Sequence, residues 1–596
     1  MNTGSDVDRK RRLGRFGAWG KALLNMTGAA LYLFLPPASL AGVFLPFSAA
    51  LHERYMGIAL LLLGVFYIFL ATSKSQPRCG YLIGSFDSLC GFFYLIYRAI
   101  WAKTPDPLGL GLAVAMLILT LLMIFGLLAK RPERTSSAAV RGLAWTGTVV
   151  VLLYLAVAYW IYATAHLVGH CWPFRETLAN ISVSRPPADS ARYRRRLGNA
   201  VCKVYYGELH GHSGISVDAR IYGAGSPEEY YRYARDGAGL DFCALTDHDT
   251  PDGLYDHPAL WKRVCRIADE FYEPGRFVTF KAFEWTSGEG HKELLRYMFD
   301  IDRWGFEKDE KLWGHRNVYF PGMDVPERVF SHTDPDCDTP EELREKMKPW
   351  GALAIVHHPL GGPVPPMKWD HYDPVSEPLI EIYSHHGNSE SIRARYPIYN
   401  PYTRKGGGSR HSVLFGLRQG YHFGFIGGTD THTGWGGNDT TNPPGSRPAR
   451  MIEFVRRKYG GVPVKGGGLA GVFATALTRE AIWEALWARR VFATTGPRIV
   501  VDFQVDGRFM GEEIAWTATS ELRGTVLGTG LLQSIEIVRD GPVVHEIAGE
   551  GQRTVRFRWI DRDPPPGSRF YYIRAIQEDG EMAWSSPVRI KPPRGM

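Results

Sequence analysis

The stretch Tyr205–Ala219, YYGELHGHSGISVDA, decides how the chain is read. An apolar and aromatic run leads into His210 and His212, with Asp218 shortly after. Successive side chains of a strand alternate faces, so His210 and His212 point the same way. Two imidazoles on one face at a strand end are a metal-ligand geometry or a coincidence, and the rest of the chain must separate the two.

The same pattern recurs downstream. LDFCALTDHD (Leu240–Asp249), RFVTFKAFEW (Arg276–Trp285), WGALAIVHHP (Trp350–Pro359), PLIEIYSHH (Pro378–His386) and GYHFGFIGGTDTH (Gly420–His432) are apolar runs that terminate in His, Asp or Glu. Helix-like stretches lie between them. PEEYYRYARDGAG (Pro227–Gly239) is amphipathic, with proline in its first turn and glycines at its end. Strands alternating with helices argue for a parallel sheet or barrel, in which functional residues collect at the carboxyl ends of strands. One histidine in an apolar run is ordinarily a core residue. Several runs delivering metal-competent residues at the same relative place are not explained by independent coincidence. Imidazole mixed with carboxylate suits zinc, manganese or iron, and more than four candidates imply two or three ions.

The chain's 596 residues exceed one core and predict a multi-domain protein. Its net charge of +8 is concentrated in RKRRLGR near the start and RYRRRLG around Arg192, both flanking hydrophobic segments, so no nucleic-acid partner is expected. Seven cysteines without a CxxC pair exclude a zinc ribbon or thioredoxin-like site. Residues 1–170 read as a polytopic α-helical membrane domain with five apolar spans, near 23–47, 55–73, 80–100, 108–129 and 143–168. The fourth, LGLGLAVAMLILTLLMIFGLLAK, has no charge before its terminal lysine. Asp87 lies within a span and His166 close to the end of another, thin for a transport path, so an anchor is expected. Residues 171–203 read as a polar linker bracketed by Cys171 and Cys202, a disulfide or two free thiols.

ELHGHSGISVDA, ALTDHD, AFEW, VHHP and TDTH resemble the ordered metal motifs of the PHP superfamily (polymerase and histidinol phosphatase). HRNVYF, EIYSHHGNSE, FGFIGGTDTHTG and RRVFATTGPRI resemble most closely a largely uncharacterised PHP-like family related to carbaryl hydrolase-type enzymes. The resemblance runs from Val204 to the C-terminus. It implies a distorted (β/α)7 barrel over residues 204–498 with two or three divalent metals. Carried over motif by motif, His210 and His212 hold one metal, and Asp218 serves a second with His248. Glu284 bridges, His315 and either His357 or His358 serve a third, and Asp430 and His432 close the site. Asp247, His248, Arg316 and Asp430 are the candidate catalytic residues, Asp247 as a group that orients His248 or ligates weakly. Arg316 clamps an anionic oxygen or forms a structural salt bridge. His385 and His386 have no firm counterpart in the family pattern and are candidate substrate contacts or replacement ligands.

From residue 499 the pattern changes to short alternating strands with Asp-Gly and Pro-Gly turns, a small all-β sandwich over 499–596. The function expected is a membrane-anchored metal-dependent hydrolase, first a phosphoesterase. A carboxylic ester or carbamate hydrolase, or a ligand-binding receptor, are the alternatives. Small-molecule or lipid and envelope-derived esters are the substrates considered.

Sidedness rests on charge. Arg9–Arg15, Lys74–Arg78 and Lys130–Arg141 share one face only if all five spans cross, which puts the soluble part outside the cytoplasm, on the periplasmic side of a bacterial inner membrane. A re-entrant first span, broken at Pro36-Pro37, would put it inside. Alkaline phosphatase fused after Met596 should be active. A bright fluorescent-protein fusion beside an inactive phosphatase would reverse the orientation.

Overall fold

The computed structural model describes residues 193–591 apart from 217, 220–223, 251–252, 256, 288–312, 323, 362–365, 399–407, 438–465, 563 and 566. These residues belong to one compact unit, Thr164–Met596. The five spans expected in 1–170 lie outside the described residues. Among the described residues no helix is long and apolar enough to cross a membrane.

The strands are β1 (Arg194–Leu197), β2 (Ala200–Glu208), β3 (Phe242–Ala244), β4 (Val278–Trp285), β5 (Arg316–Phe320), β6 (Leu353–Val356), β7 (Leu379–Ser384), β8 (Gly387–Asn388), β9 (Gly424–Gly427), β10 (Leu469–Ala474) and β11 (Val491–Thr494). They are interleaved with helices α1 (Pro227–Arg232), α2 (Pro258–Glu270), α3 (Pro340–Met347), α4 (Val413–Arg418) and α5 (Arg479–Trp487). Helix α1 begins as its sequence dictates. Ser226 and Glu229 form a reciprocal capping box and Pro227 occupies the first turn.

Pairing runs β2–β3–β4 in parallel, then β5 antiparallel to both β4 and β6, then β6–β7–β9 in parallel. Beyond β9 the chain returns to the segment after β2: Asp430 N donates to His210 O at 2.8 Å, and His212 N to Thr431 O at 2.9 Å. The strands thereby close into a ring. The expectation of a parallel sheet or barrel is corrected at β5, and at β10, which pairs antiparallel with β2. The reversal of β5 has a consequence, because that strand's start now lies beside the ends of β4 and β6, with Arg316 opposite Trp285 and Val356.

Alternation sorts each strand's two faces. Val278, Phe280 and Ala282 of β4, Tyr319 of β5, Leu353 and Ile355 of β6 and Leu379 of β7 pack in one cluster with Ile482, Ala485 and Leu486 of α5. The opposite faces, including Phe283, Trp285, Val318 and Phe320, pack against Tyr230, Tyr231, Trp261 and Leu343 from α1, α2 and α3. Strands buried on both faces read as continuous apolar runs, which is why these segments stand out in the sequence.

The linker expected at 171–203 is corrected over its last part. Residues 194–203 form β1 and the start of β2, an antiparallel hairpin turning at Gly198, whose φ is +58°. Tyr193, Leu197, Cys202 and Val204 pack on the C-terminal strands, and Arg195 reaches Asp502 and Gln504. An arginine run that looks solvated is therefore a strand with an apolar partner surface.

The C-terminal strands are β12 (Val500–Val505), β13 (Arg508–Phe509), β14 (Glu513–Ala515), β15 (Ser520–Leu527), β16 (Leu532–Arg539), β17 (Val543–Ala548), β18 (Thr554–Asp561), β19 (Phe570–Gln577), β20 (Met582–Ser585) and β21 (Val588–Lys591). One sheet runs β13–β12–β15–β18, and its first hairpin turns at Asp506-Gly507 with both φ positive. The second is hydrogen-bonded through β20 to β11, so it continues the sheet of the ring. The described C-terminal strands are thus fastened to the ring through backbone hydrogen bonds as well as packing. At the junction, buried Glu390 accepts hydrogen bonds from the Tyr572 hydroxyl, Arg574 Nη1 at 3.2 Å and Trp584 Nε1 at 3.3 Å. Glu390→Ala leaves the buried Tyr572 hydroxyl and Trp584 Nε1 without their acceptor, while Arg574 keeps Glu536 Oε2 at 2.8 Å, and should cost about 1–3 kcal/mol. The measurement is the urea unfolding midpoint. A change below ~1 kcal/mol would mean that strand pairing and apolar packing hold the junction without Glu390.

Candidate metal centre

Period-two alternation carries the inner face of each strand from apolar residues directly to polar ones. Phe280 and Ala282 are followed by Glu284, and Leu353 and Ile355 by His357. At this rim the reversed β5 contributes His315, the residue before its first, while the loops after β2, β3, β7 and β9 contribute the others.

Glu284 is buried to 1% exposure and divides its oxygens. Oε2 lies 3.4 Å from both His210 Nε2 and His212 Nε2. Oε1 lies 2.8 Å from His315 Nδ1, 3.4 Å from His357 Nε2 and 3.3 Å from His248 Nδ1. Asp430 Oδ1 lies 3.3 Å from the same two Nε2 atoms of His210 and His212. Asp218 Oδ2 stands 3.1 Å from His248 Nε2 and 3.0 Å from His432 Nε2. Donor atoms fall into groups that lie within metal-sharing distance. They include His210–His212–Asp430, His210–Glu284–His357, His315–His357–His358, His212–His248–His432 and His358–His386–Asp430.

Two observations test whether these residues fit metal ions. First, the rings are held from behind. His210 Nδ1 donates to Glu381 Oε2 at 2.7 Å, His432 Nδ1 to the Asp430 carbonyl at 3.0 Å, and His248 Nδ1 lies 2.8 Å from Thr286 Oγ1. A ring fixed through Nδ1 presents Nε2 inward, the usual arrangement around a metal. Second, Nε2 of His210, His212 and His315, both nitrogens of His357 and Nδ1 of His358 are buried without a hydrogen-bond partner. Each such atom costs on the order of 1–3 kcal/mol unless something satisfies it. Facing imidazoles and carboxylates about 3.3 Å apart are the donors of a metal with bonds of about 2.0–2.1 Å. The donor set fits.

The electrostatics follow the same grouping. Burial opposes charge on His210 and His248, but Asp430 and Glu381 beside the first, and Glu284 and Asp218 beside the second, raise both well above the ordinary imidazole value. Burial opposes charge on His432 as well, and Asp218 overrides it, lifting the ring to about 9. Burial and the neighbouring His210 hold His357 down at about 3. Burial would raise Glu284, yet His248 and His357 keep its carboxyl well below the usual range.

All ten expected ligands stand in this cluster: His210, His212, Asp218, His248, Glu284, His315, His357, His358, Asp430 and His432. Both His357 and His358 do so, His358 with φ +31°. Asp218 is 27% exposed and marks the open side. His386 joins the cluster, its Nε2 2.9 Å from Asp430 Oδ2, whereas His385 Nδ1 donates to the Thr429 carbonyl at 2.9 Å.

Two expectations are corrected. Asp247 is not turned to the metal donors. Its carboxylate accepts from the Ser213 and Ser216 amides and hydroxyls at 2.7–3.2 Å and clasps the loop after His212. Arg316 is fully buried in a salt bridge to Glu377 Oε1 at 2.6 Å and donates to the Trp313 and Gly314 carbonyls. Of its two readings, the structural one holds.

Glu381 and Glu208 were not expected. Glu208 accepts from the amides of His210 at 2.7 Å and Thr429 at 3.0 Å, tying β2 to β9, and burial raises it to about 7. A carboxylate buried within an otherwise apolar strand was the available signal for Glu381.

The family model described as "Protein of unknown function (DUF3604)" matches residues 241–348 and 415–537. An uncharacterised protein of Chlamydia pneumoniae is 27% identical over 406 residues, covering 65% of this chain and 57% of that protein. A second, from Chlamydia trachomatis, is 28% identical over 411 residues with the same coverage. The chain thus spans 57% of the length of these curated relatives. A solved two-domain protein from Bacteroides vulgatus, described as containing a predicted PHP-like metal-dependent phosphoesterase, is 14% identical with a TM-score of 0.32. It covers 69% of this chain and 98% of its own, and at that score it carries no argument about this fold.

Two outcomes follow from the ring environments. His210, His248 and His432 carry protons at pH 7 in the metal-free protein and must lose them to ligate. Calorimetric zinc titrations in buffers of different ionisation enthalpy should therefore show net proton release, with affinity rising from pH 6 to pH 8. An affinity independent of pH would contradict the assigned ring states. Glu381→Ala removes the group behind His210 and should weaken metal binding about 10–100-fold. Unchanged affinity in a competition titration would make Glu381 a purely structural carboxylate.

Proposed function

We propose that this chain is a metal-dependent hydrolase, with phosphoesters as the first substrate class. The observation that carries the reading is the set of buried, partnerless imidazole nitrogens converging with Glu284 and Asp430 at one rim of the ring. The PHP superfamily, with its distorted (β/α)7 barrel, is the family this reading favours. The motif likeness to the carbaryl hydrolase-type branch keeps carboxylic esters and carbamates as the second substrate class.

When bound, two or three zinc, manganese or iron ions supply Lewis acidity toward an ester oxygen and a water acidified toward neutral pH. The chain's residues divide the remaining work. Glu284 and Asp430 supply anionic charge that stays ionised between the imidazoles. Glu381 and Thr286 fix the rings of His210 and His248. Asp218, His248, His386 and His432 lie on the partly exposed side, where a substrate enters. The described cysteines, Cys202, Cys243, Cys265 and Cys337, are buried as free thiols. None belongs to the cluster's donor groups given above, so a nucleophile from water is the simpler account than a covalent enzyme intermediate.

The apolar spans of residues 1–170 support anchoring in a membrane, with the catalytic part on the extracytoplasmic side. A lipid or envelope-derived ester then joins soluble phosphoesters as a candidate substrate.

The test is chelation of the full chain, then refilling with zinc, manganese or iron before assay on phosphomonoesters, phosphodiesters, carboxylic esters and carbamates. Metal-restored phosphoester hydrolysis, abolished in Glu284→Gln together with metal occupancy, is expected. Turnover confined to carboxylic esters or carbamates would select the second class. Full metal loading without turnover of any of these would reject the hydrolase reading.

A further inference from the structure

The donors around Glu284 and Asp430 are more numerous than the family resemblance assigns. His386 has no place in that pattern, and only one of His357 and His358 is needed by it. Glu284 supplies the comparison. One of its oxygens faces His210 and His212, and the other faces His315 and His357, so it is built to join two positions. Asp430 is divided in the same manner. Its Oδ1 lies 3.3 Å from the Nε2 atoms of His210 and His212. Its Oδ2 lies on the other side, 2.9 Å from His386 Nε2. Donor atoms of His358, His386 and Asp430 come within 4.8 Å of one another. His358 is 4% exposed, with its Nδ1 buried and without a hydrogen-bond partner.

The backbone is bent to bring these groups together. His358 and Asp430 both have positive φ, +31° and +53°, although neither is glycine. Non-glycine residues in that region cost on the order of 1–3 kcal/mol and persist where the surroundings hold them for a purpose. For metal–donor bonds of about 2.0–2.1 Å, donors at right angles stand about 2.9 Å apart and tetrahedral donors about 3.4 Å apart. Both Asp430 spacings fall within that range.

We infer that His358, His386 and Asp430 Oδ2 form an additional position for a divalent transition-metal ion, with Asp430 bridging it to the His210–His212 position as Glu284 bridges to the His315–His357 position. The inference rests on the metal-centre reading above. Two imidazoles and one carboxylate oxygen leave open coordination places, as in metal sites that meet substrate. His386 is 18% exposed, unlike the sealed His210 and His212, so an ion here exchanges with solvent more readily than the deeper ones. This position shares that exposure with the Asp218–His248–His432 side, so both positions bind more weakly than the two sealed ones.

The experiment is a titration of the metal-free full chain with zinc against a chromophoric chelator, with bound metal counted by elemental analysis. Wild type is compared with His386→Gln. Glutamine can still donate a hydrogen bond to Asp430 Oδ2 but lacks the imidazole. The expected result is one fewer equivalent in His386→Gln, lost from the weaker class, with the other equivalents unchanged within about threefold. Equal stoichiometry would show that His386 only hydrogen-bonds Asp430, which overturns the inference. Loss of more than one equivalent would show that His386 acts by orienting Asp430, which also overturns it. Wild type that binds no zinc would remove the metal-centre reading itself. Should His386→Gln not fold, photometric cobalt titration of wild type decides. A fourth cobalt equivalent supports the position, and saturation at three or fewer excludes it.

Discussion

Glu284 is a carboxylate sealed at the end of a strand that is buried on both faces, and the centre around it follows from the need to neutralise that charge. A buried carboxylate without partners would take up a proton or unfold its surroundings. Here five imidazoles from four different segments converge on its two oxygens. No segment alone places these rings, and only the closed ring of strands brings their ends to a common rim. The centre and the closure therefore depend on each other. Glu208 makes the dependence concrete, since it accepts the amides of both His210 and Thr429 and so ties the first strand to the last.

The reversal of β5 solves a geometric problem. A parallel strand would deliver its carboxyl end to this rim and bury its start at the far end. Running antiparallel, β5 brings His315 to the rim directly before its first residue. The C-terminal strands support the arrangement from outside. β20 pairs with β11, and Glu390, which follows the His385–His386 corner, is gripped by Tyr572, Arg574 and Trp584. The loop carrying His386 is thus anchored within a few residues by a different part of the chain.

The cluster residues were legible in the sequence because two periodicities coincide. An apolar run marks a buried strand, and a His, Asp or Glu just past its end marks a rim position. His210, His212, Glu284, His357, Asp430 and His432 share that signature, and the family resemblance added Asp218 and His315. Asp247 and Arg316 stand apart from the cluster for one physical reason. Each is the immediate neighbour of a cluster residue, and neighbours on extended backbone face opposite ways. Arg316 turns away from His315 into Glu377, and Asp247 turns away from His248 into Ser213 and Ser216. Glu381 escaped because it sits inside the run LIEIYS, where composition signals core. The hairpin at 194–203 escaped because its arginines read as solvated charge, while the partner surface that makes it a strand lies some 300 residues further on.

The central claim is that this cluster exists to hold metal ions. The most direct measurement is X-ray diffraction from crystals of the chain, with data collected on both sides of the zinc, manganese and iron absorption edges. Anomalous peaks should appear among His210, His212, Glu284 and Asp430, and again among Glu284, His315 and His357. Ordered waters hydrogen-bonded to those imidazoles, with no anomalous peak after growth in millimolar metal, would contradict the account.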